Sequence, residues 1–286
     1  MADDQIRSLT FDGHGVAIAG DSVGSADAPP ILFLHGGGQT RQSWGKALVE
    51  AARRGYHGIA IDLRGHGESG WAPDGDYLVQ TFSEDVRAVV EALEKPPILV
   101  GASLGGLAAL LVAAAPPPLV AGLVLVDVAA RIEPEGAAEI GRFMTAAPDG
   151  FASLADAADA VAAYLPHRSR PTDPSGLLRN LRLRDDGRYH WHWDPAFLRI
   201  GADERSPAPD PRLFDDAARK LRVPTLLIRG GRSRVVSREG VRAFLELAPH
   251  TEFVDVADAD HMVAGDANDS FNAAVFAFVA RHVASR

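Results

Sequence analysis

The stretch Ile98-Leu99-Val100-Gly101-Ala102-Ser103-Leu104-Gly105-Gly106 decides the fold. An apolar run enters a glycine-flanked turn, and the residues that follow, Leu104 to Ala115, are apolar and rich in Ala and Leu. That pattern is a buried strand, a sharp turn and a helix lying against a sheet. Ser103 occupies the turn, where the backbone is expected to take a positive φ at a cost to any non-glycine residue. The small neighbours Gly101, Ala102, Gly105 and Gly106 let strand and helix close around it. The helix N-terminus directs a partial positive charge at the serine and at any anion formed beside it. The competing reading is a passive serine in a packing turn. A serine hydroxyl is inert without a base and an oxyanion site, so the rest of the chain decides.

Upstream, Pro30-Ile31-Leu32-Phe33-Leu34-His35-Gly36-Gly37-Gly38 again runs an apolar strand into glycines. Bare glycines leave backbone N–H groups unobstructed, as an oxyanion hole requires. The expected donors are the N–H groups of Gly37 and Leu104, with Gly36 against the substrate. Losing one such donor typically costs ~3 kcal/mol of transition-state stabilisation. His35 is expected to brace this loop rather than serve as the base. No phosphate-loop or dinucleotide fingerprint accompanies the glycines. Next comes Asp62-Leu63-Arg64-Gly65-His66-Gly67-Glu68-Ser69, again after an apolar strand.

The order HGGG, then D-x-R-G-H-G-x-S, then G-x-S-x-G resembles the α/β-hydrolase superfamily, in its serine-nucleophile branch with a cap. The resemblance covers nearly the whole chain outside a central insertion. It implies an α/β fold: a mostly parallel eight-stranded sheet, helices on both faces and an inserted, mainly helical cap. It also implies that Asp62, Arg64 and His66 shape a turn rather than react.

The family places its histidine late, after the last strand. Here the strand Glu252-Phe253-Val254-Asp255-Val256 is followed by Ala257-Asp258-Ala259-Asp260-His261-Met262. Among ten histidines, His261 alone stands between that strand and the terminal helix expected over Ser270 to Val283. A neutral imidazole there takes the serine proton and returns it to the leaving group. The alternative is a loop histidine bonded to neighbouring carboxylates. Asp260 stands where the family commonly has glycine.

The acid is where the chain departs from the family. An Asp is expected after the penultimate strand, but Ile228-Arg229-Gly230-Gly231-Arg232-Ser233-Arg234 places Ser233 there. Neither Ser233 nor Arg234 can hold a carboxylate's charge against an imidazolium. Asp127 ends the strand Leu123-Val124-Leu125-Val126, directly after the nucleophile helix. Some family members, including certain lipases and zearalenone-type lactonases, carry their acid on this strand. Asp127 is therefore the expected acid, the alternative being a strand-end Asp that caps the next segment. Asp255, Asp258 and Asp260 are weaker rivals, lying too near His261 along the chain to reach around its ring easily.

With 286 residues, 47% hydrophobic and 23% charged, the chain has the composition of one large globular unit. A net charge of −9 argues against nucleic-acid and anionic-membrane partners. The absence of cysteine excludes disulfides, thiol catalysis and cysteine-based metal sites. No signal-peptide pattern and no long apolar span are visible, so cytoplasmic residence is the default expectation. Strand–helix alternation runs to Asp127 and resumes near Phe214. Residues 1–128 and 211–286 are therefore read as the core, and 129–210 as the cap or lid. Within it, Glu135 to Thr145 and Phe151 to Tyr164 have helical composition. Leu183 to Trp193 reads as a hairpin with Asp186-Gly187 as its turn. Tyr189, Trp191 and Trp193 are expected on one strand face, as an aromatic wall over Ser103 or as cap packing. With Gly36 and Met262 they form the expected substrate-contacting set. Phe143 and Met144 are further pocket candidates. His190-x-His192 lacks the additional spacing of a metal site, and no metal or cofactor is expected.

The leading expectation is a metal-independent serine hydrolase (the carboxylic ester hydrolase class, EC 3.1.1) for a small ester or lactone, acting through an acyl-enzyme as a monomer or homodimer. Two alternatives stand beside it. One is a C–C bond hydrolase of ring-cleavage products. The other is a ligand-binding protein on a hydrolase fold with little turnover, motivated by the missing acid at position 233.

Overall fold

The computed structural model describes residues 5–165, 170–199, 208–257, 259 and 268–283. Its strands are β1 (Arg7–Asp12), β2 (Ala17–Val23), β3 (Pro30–Leu34), β4 (His57–Ile61), β5 (Ile98–Ala102), β6 (Gly122–Val126), β7 (Leu181–Leu183), β8 (Tyr189–Trp191), β9 (Thr225–Gly230) and β10 (Glu252–Val256). Its α-helices are α1 (Gly45–Arg53), α2 (Val79–Glu91), α3 (Ser103–Ala114), α4 (Pro134–Thr145), α5 (Leu154–Tyr164), α6 (Pro211–Lys220), α7 (Arg238–Leu247) and α8 (Asn268–Val283). Eight strands form one sheet in the order β1-β2-β4-β3-β5-β6-β9-β10. The β1–β2 and β2–β4 ladders are antiparallel and the rest are parallel. This is the α/β-hydrolase fold, with the mostly parallel eight-stranded sheet that was expected.

The central strands are apolar on both faces because both faces are covered. Leu32, Leu34, Leu99, Leu123 and Leu125 pack with Phe82, Val86, Ala108 and Phe214 from α2, α3 and α6. The alternate residues Ile31, Phe33, Ile98, Val100, Val124 and Val126 pack with Leu48 of α1 and with Phe271, Phe276 and Phe278 of α8. Every one of these strand residues is at most 1% exposed. The register aligns Leu34 with Gly101, Ala102 with Val126, and Val126 with Ile228. Parallel pairing therefore delivers the residues that follow β3, β5, β6 and β9 to one edge of the sheet.

Between β6 and α6 lie α4, α5, two short 3-10 turns (Pro174–Arg179 and Pro195–Arg199) and the β7–β8 hairpin. Asp186-Gly187 makes the hairpin turn, with Gly187 at φ 76°. Helix α5 starts three residues later than composition suggests. Phe151 instead exchanges two backbone hydrogen bonds with Tyr189 at 2.8 and 2.9 Å, and the Ser153 hydroxyl caps the helix by accepting from the Asp156 N–H. The aromatic face is also built differently from a single strand, since β8 ends at Trp191. Trp193 lies past it and stacks on Trp191 at 4.9 Å and 12°. Helix α8 begins at Asn268, two residues before the position expected. Among the described residues no helix is long and apolar enough to cross a membrane.

Candidate active site

Ser103 is the first residue of α3 and has φ 46°. Ala102 before it is extended and offers no side-chain cap, so the first amides of the helix face the space beside the serine without a side chain of that residue competing for them. The glycine after Leu104 explains the close fit. A Cβ on Gly105 would lie 2.6 Å from the His35 carbonyl oxygen and 2.7 Å from that of Leu34. Contacts that short do not occur, so only glycine lets α3 abut the end of β3. The same approach brings the glycine loop to the serine: a Cβ on Gly36 would stand 3.3 Å from the Ser103 Cβ.

The loop itself is held peptide by peptide. The Gly36 carbonyl accepts from His35 Nδ1 at 2.8 Å and from the Gln39 N–H at 3.1 Å. In a trans peptide the next N–H points the opposite way, so the Gly37 N–H is turned away from both donors. The Gly36 N–H is engaged by Gln39 Oε1 and the Gly38 N–H by His66 Nε2. Among the described residues, the Gly37 N–H has no hydrogen-bond partner. It is the amide this loop can offer to an oxyanion. Gly38 supplies the reversal, with φ 75°.

Three buried histidines brace the loop, each in one tautomer. His35 Nε2 accepts from the Leu63 N–H, so Nδ1 carries the proton donated to Gly36. His66 Nε2 accepts from Gly38, so its Nδ1 donates to the Arg64 carbonyl at 2.9 Å. His192 Nδ1 accepts from the Gly67 N–H at 2.7 Å, leaving Nε2 to donate to the Gly38 carbonyl at 3.3 Å. Burial, the dominant cause, holds all three pKa values down to about 3. At neutral pH they are uncharged struts whose protons are already committed. Asp62 accepts from the Arg41 and Glu68 N–H groups at 2.7 and 2.9 Å, and Arg64 pairs with Asp85 at 2.6 and 2.9 Å. Both groups tie down turns.

Asp127 follows β6, is fully buried and has φ 48°. Its N–H donates to the Ile228 carbonyl at 2.7 Å. Its Oδ1 accepts from the Gly230 N–H at 2.9 Å, and its Oδ2 accepts from the Ser233 hydroxyl at 2.5 Å. The carboxylate is thus seated by the turn after β9, the neighbouring strand. Asp255, one of the rival acids, is engaged elsewhere by Arg229 and Arg238, both at 3.2 Å. Arg234 pairs with Glu139 at 2.9 Å. His261 and Met262 lie outside the described residues, as do Asp258 and Asp260.

Trp193 and Met144 crowd the loop from the segment after β6. A Cβ on Gly38 would lie 3.0 Å from Met144 Cε and 3.3 Å from Trp193 Cζ3, and one on Gly37 would lie 3.3 Å from Phe197 Cζ. Trp191 sits behind Trp193, edge-on to Phe151, while Phe143 stacks on Tyr164 at 4.2 Å. Tyr189 is half-buried and pairs through its backbone with Phe151. His190 bonds to Asp186 on the hairpin turn at 2.8 Å, so its ring and that of His192 serve different partners. Sequence reading missed Phe197 and the bracing role of His192. Neither carries a spacing signal, because both meet the loop only through tertiary contact. Trp44, 2% exposed, packs on Phe33 and Phe271 within the core.

A family profile described as alpha/beta hydrolase fold matches residues 29–267. The chain is 35% identical to Esterase Rv0045c of Mycobacterium tuberculosis, over 84% of this chain and 78% of that protein. It is 30% identical to the sn-1-specific diacylglycerol lipase ABHD11 of Mus musculus, over 90% of this chain and 83% of the lipase. In three dimensions it resembles a solved E-2-(acetamidomethylene)succinate hydrolase, with a TM-score of 0.84 at 25% identity, covering 96% of this chain and 99% of the other.

Proposed function

We propose that this chain, which belongs to the α/β-hydrolase family, is a serine esterase that cleaves small carboxylic esters or lactones. One observation carries the reading. Among the described residues, the only two non-glycines with positive φ are Ser103 and Asp127, at the ends of the adjacent parallel strands β5 and β6. Strain of this kind persists where the surroundings enforce it, and it clusters at working sites. The ester chemistry is supported by the named activities of the esterase and the lipase to which the chain is similar.

In this mechanism His261 removes the proton of Ser103 as Oγ attacks the ester carbonyl carbon. The carbonyl π electrons move to oxygen, and the N–H groups of Gly37 and Leu104 hold that oxyanion. Collapse of the tetrahedral intermediate expels the alcohol, which takes the proton from His261. Water, deprotonated by His261, then attacks the acyl-enzyme carbonyl, and as the acyl–Oγ bond breaks to release the acid Ser103 Oγ takes that proton back from His261. Asp127 keeps the imidazole in the productive tautomer and stabilises its charged form. Residues 129–210 act as the cap, with 1–128 and 211–286 as the core. Gly36, Trp193 and Met262 are assigned to the substrate, and Trp191 stacks on Trp193.

The test uses a fluorophosphonate probe together with p-nitrophenyl esters of varied chain length, lactones and a vinylogous diketone. The wild-type protein is expected to label and to turn over short esters or lactones. Absence of both labelling and turnover would identify a ligand-binding protein. Preferential cleavage of the diketone would identify the C–C hydrolase instead.

A further inference from the structure

Ser233 stands where the family's usual acid is missing, yet it is nearly buried, at 9% exposure, and its hydroxyl is fully used. The Val235 and Val236 N–H groups both donate to Ser233 Oγ, at 3.1 and 3.2 Å. A hydroxyl has two lone pairs and one proton. With both lone pairs facing donors, the proton is directed outward, onto Asp127 Oδ2 at 2.5 Å. A free hydroxyl rotor could turn away, and this one is polarised in one sense. Gly230 fills the matching role on Oδ1, so the turn after β9 grips the carboxylate by both oxygens. The same turn reaches the strand that precedes position 261. The Gly231 N–H donates to the Val256 carbonyl at 2.8 Å and the Arg232 N–H to the Ala259 carbonyl at 2.9 Å. Ala259 is two residues before His261.

Resting on the assignment of Asp127 as the acid, we propose that Ser233 is a positioning residue for the acyl-transfer reaction. It replaces the carboxylate that other family members carry at this place with a hydroxyl donor, which locks the carboxylate of the neighbouring strand. The device joins two functions in one turn: it sets the rotamer of the acid and holds the backbone at Ala259, two residues before His261 in sequence. Ser233 does not touch substrate. Its effect therefore falls on the rate of acyl transfer and leaves substrate binding alone.

The experiment compares wild type, Ser233→Ala, Ser233→Thr and Asp127→Asn, with kcat and KM measured on a p-nitrophenyl ester and folding checked by thermal melting. A hydrogen bond to a charged group is a strong one, so Ser233→Ala is expected to lower kcat by roughly 10- to 100-fold with KM within about twofold. Ser233→Thr keeps the hydroxyl and is expected to restore most of kcat. The proposal is overturned if Ser233→Ala keeps the wild-type kcat. It is equally overturned if a loss in Ser233→Ala is not recovered by Ser233→Thr, or appears in KM rather than kcat. Failure of the underlying assignment looks different: Asp127→Asn would keep its activity, and the Ser233 role would fall with it.

Discussion

The turn at Ser103 and the turn at Asp127 lie on neighbouring strands and share an unusual backbone, φ 46° and 48°, yet they are built in opposite ways. The turn at Ser103 is local. Gly101, Gly105 and Gly106 sit within three residues of it, and the fit depends on missing side chains. The turn at Asp127 is assembled from a distance. Its carboxylate is held by Gly230 and Ser233, more than one hundred residues away in sequence, and only the β6–β9 pairing brings them together. A local device writes itself into a motif. A long-range one is visible only once the sheet order is known.

The sharpest way to separate the two turns is to remove their side chains in turn. Ser103→Ala is expected to abolish fluorophosphonate labelling and to lower kcat by about 10⁶-fold. Asp127→Asn is expected to keep labelling at a reduced rate and to lower kcat by about 10⁴-fold. Equal losses in the two variants would erase the distinction between nucleophile and orienting group. A third test asks whether the acid seat is interchangeable. Because Ser233 Oγ lies 2.5 Å from the Asp127 carboxylate, the double change Asp127→Asn with Ser233→Asp places a carboxylate within reach of the same point. It is expected to recover roughly tenfold over Asp127→Asn alone, since residues acting on one group are not additive. A double variant no faster than the single one would show that only the β6 seat works.

The smallest effect concerns stability rather than rate. His35, His66 and His192 have pKa values near 3 in the folded chain, against about 6.5 when unfolded. Below about pH 6.5 the unfolded chain takes up protons that the folded chain refuses. Their contribution is therefore complete above that value and is lost as pH falls toward 3. Melting temperature is expected to drop steadily from pH 6.5 to pH 4. His192→Asn keeps the acceptor for the Gly67 N–H and removes one titrating group, so its melting temperature should decline less steeply with acid. Parallel slopes for variant and wild type would refute the neutral state of His192.

Much of this architecture was legible beforehand because its signals are local. Apolar runs ending in glycines located β3, β5 and the turns that follow them, and the positive φ at Ser103 was anticipated from the demands of a strand–helix corner. Asp127 was expected from its place at the end of β6 and from the resemblance to family members that carry their acid on that strand, once position 233 held a serine. What stayed hidden was the bond between them, since a serine and an aspartate 106 residues apart share no spacing rule. The hairpin turn was marked by Asp186-Gly187, but the path beyond Trp191 was not. There Trp193 and Phe197 turn inward to meet the glycine loop, and the Asp194 carboxylate accepts from the Tyr77 hydroxyl at 2.6 Å. Those contacts follow from burial against a partner that periodicity does not name.

His192 has a consequence for anyone rebuilding this enzyme. Its imidazole belongs to the segment proposed as the cap, but the two groups it satisfies, the Gly67 N–H and the Gly38 carbonyl, belong to the part proposed as the core. A chimera that grafts a foreign cap between β6 and α6 removes a component of the host's own loop along with the old lid. Transplants that retain a histidine at this place should inherit a working scaffold. Transplants that omit it leave a half-buried amide and carbonyl without their histidine partner, and the defect will surface as lost turnover in a chain whose proposed catalytic residues are all intact.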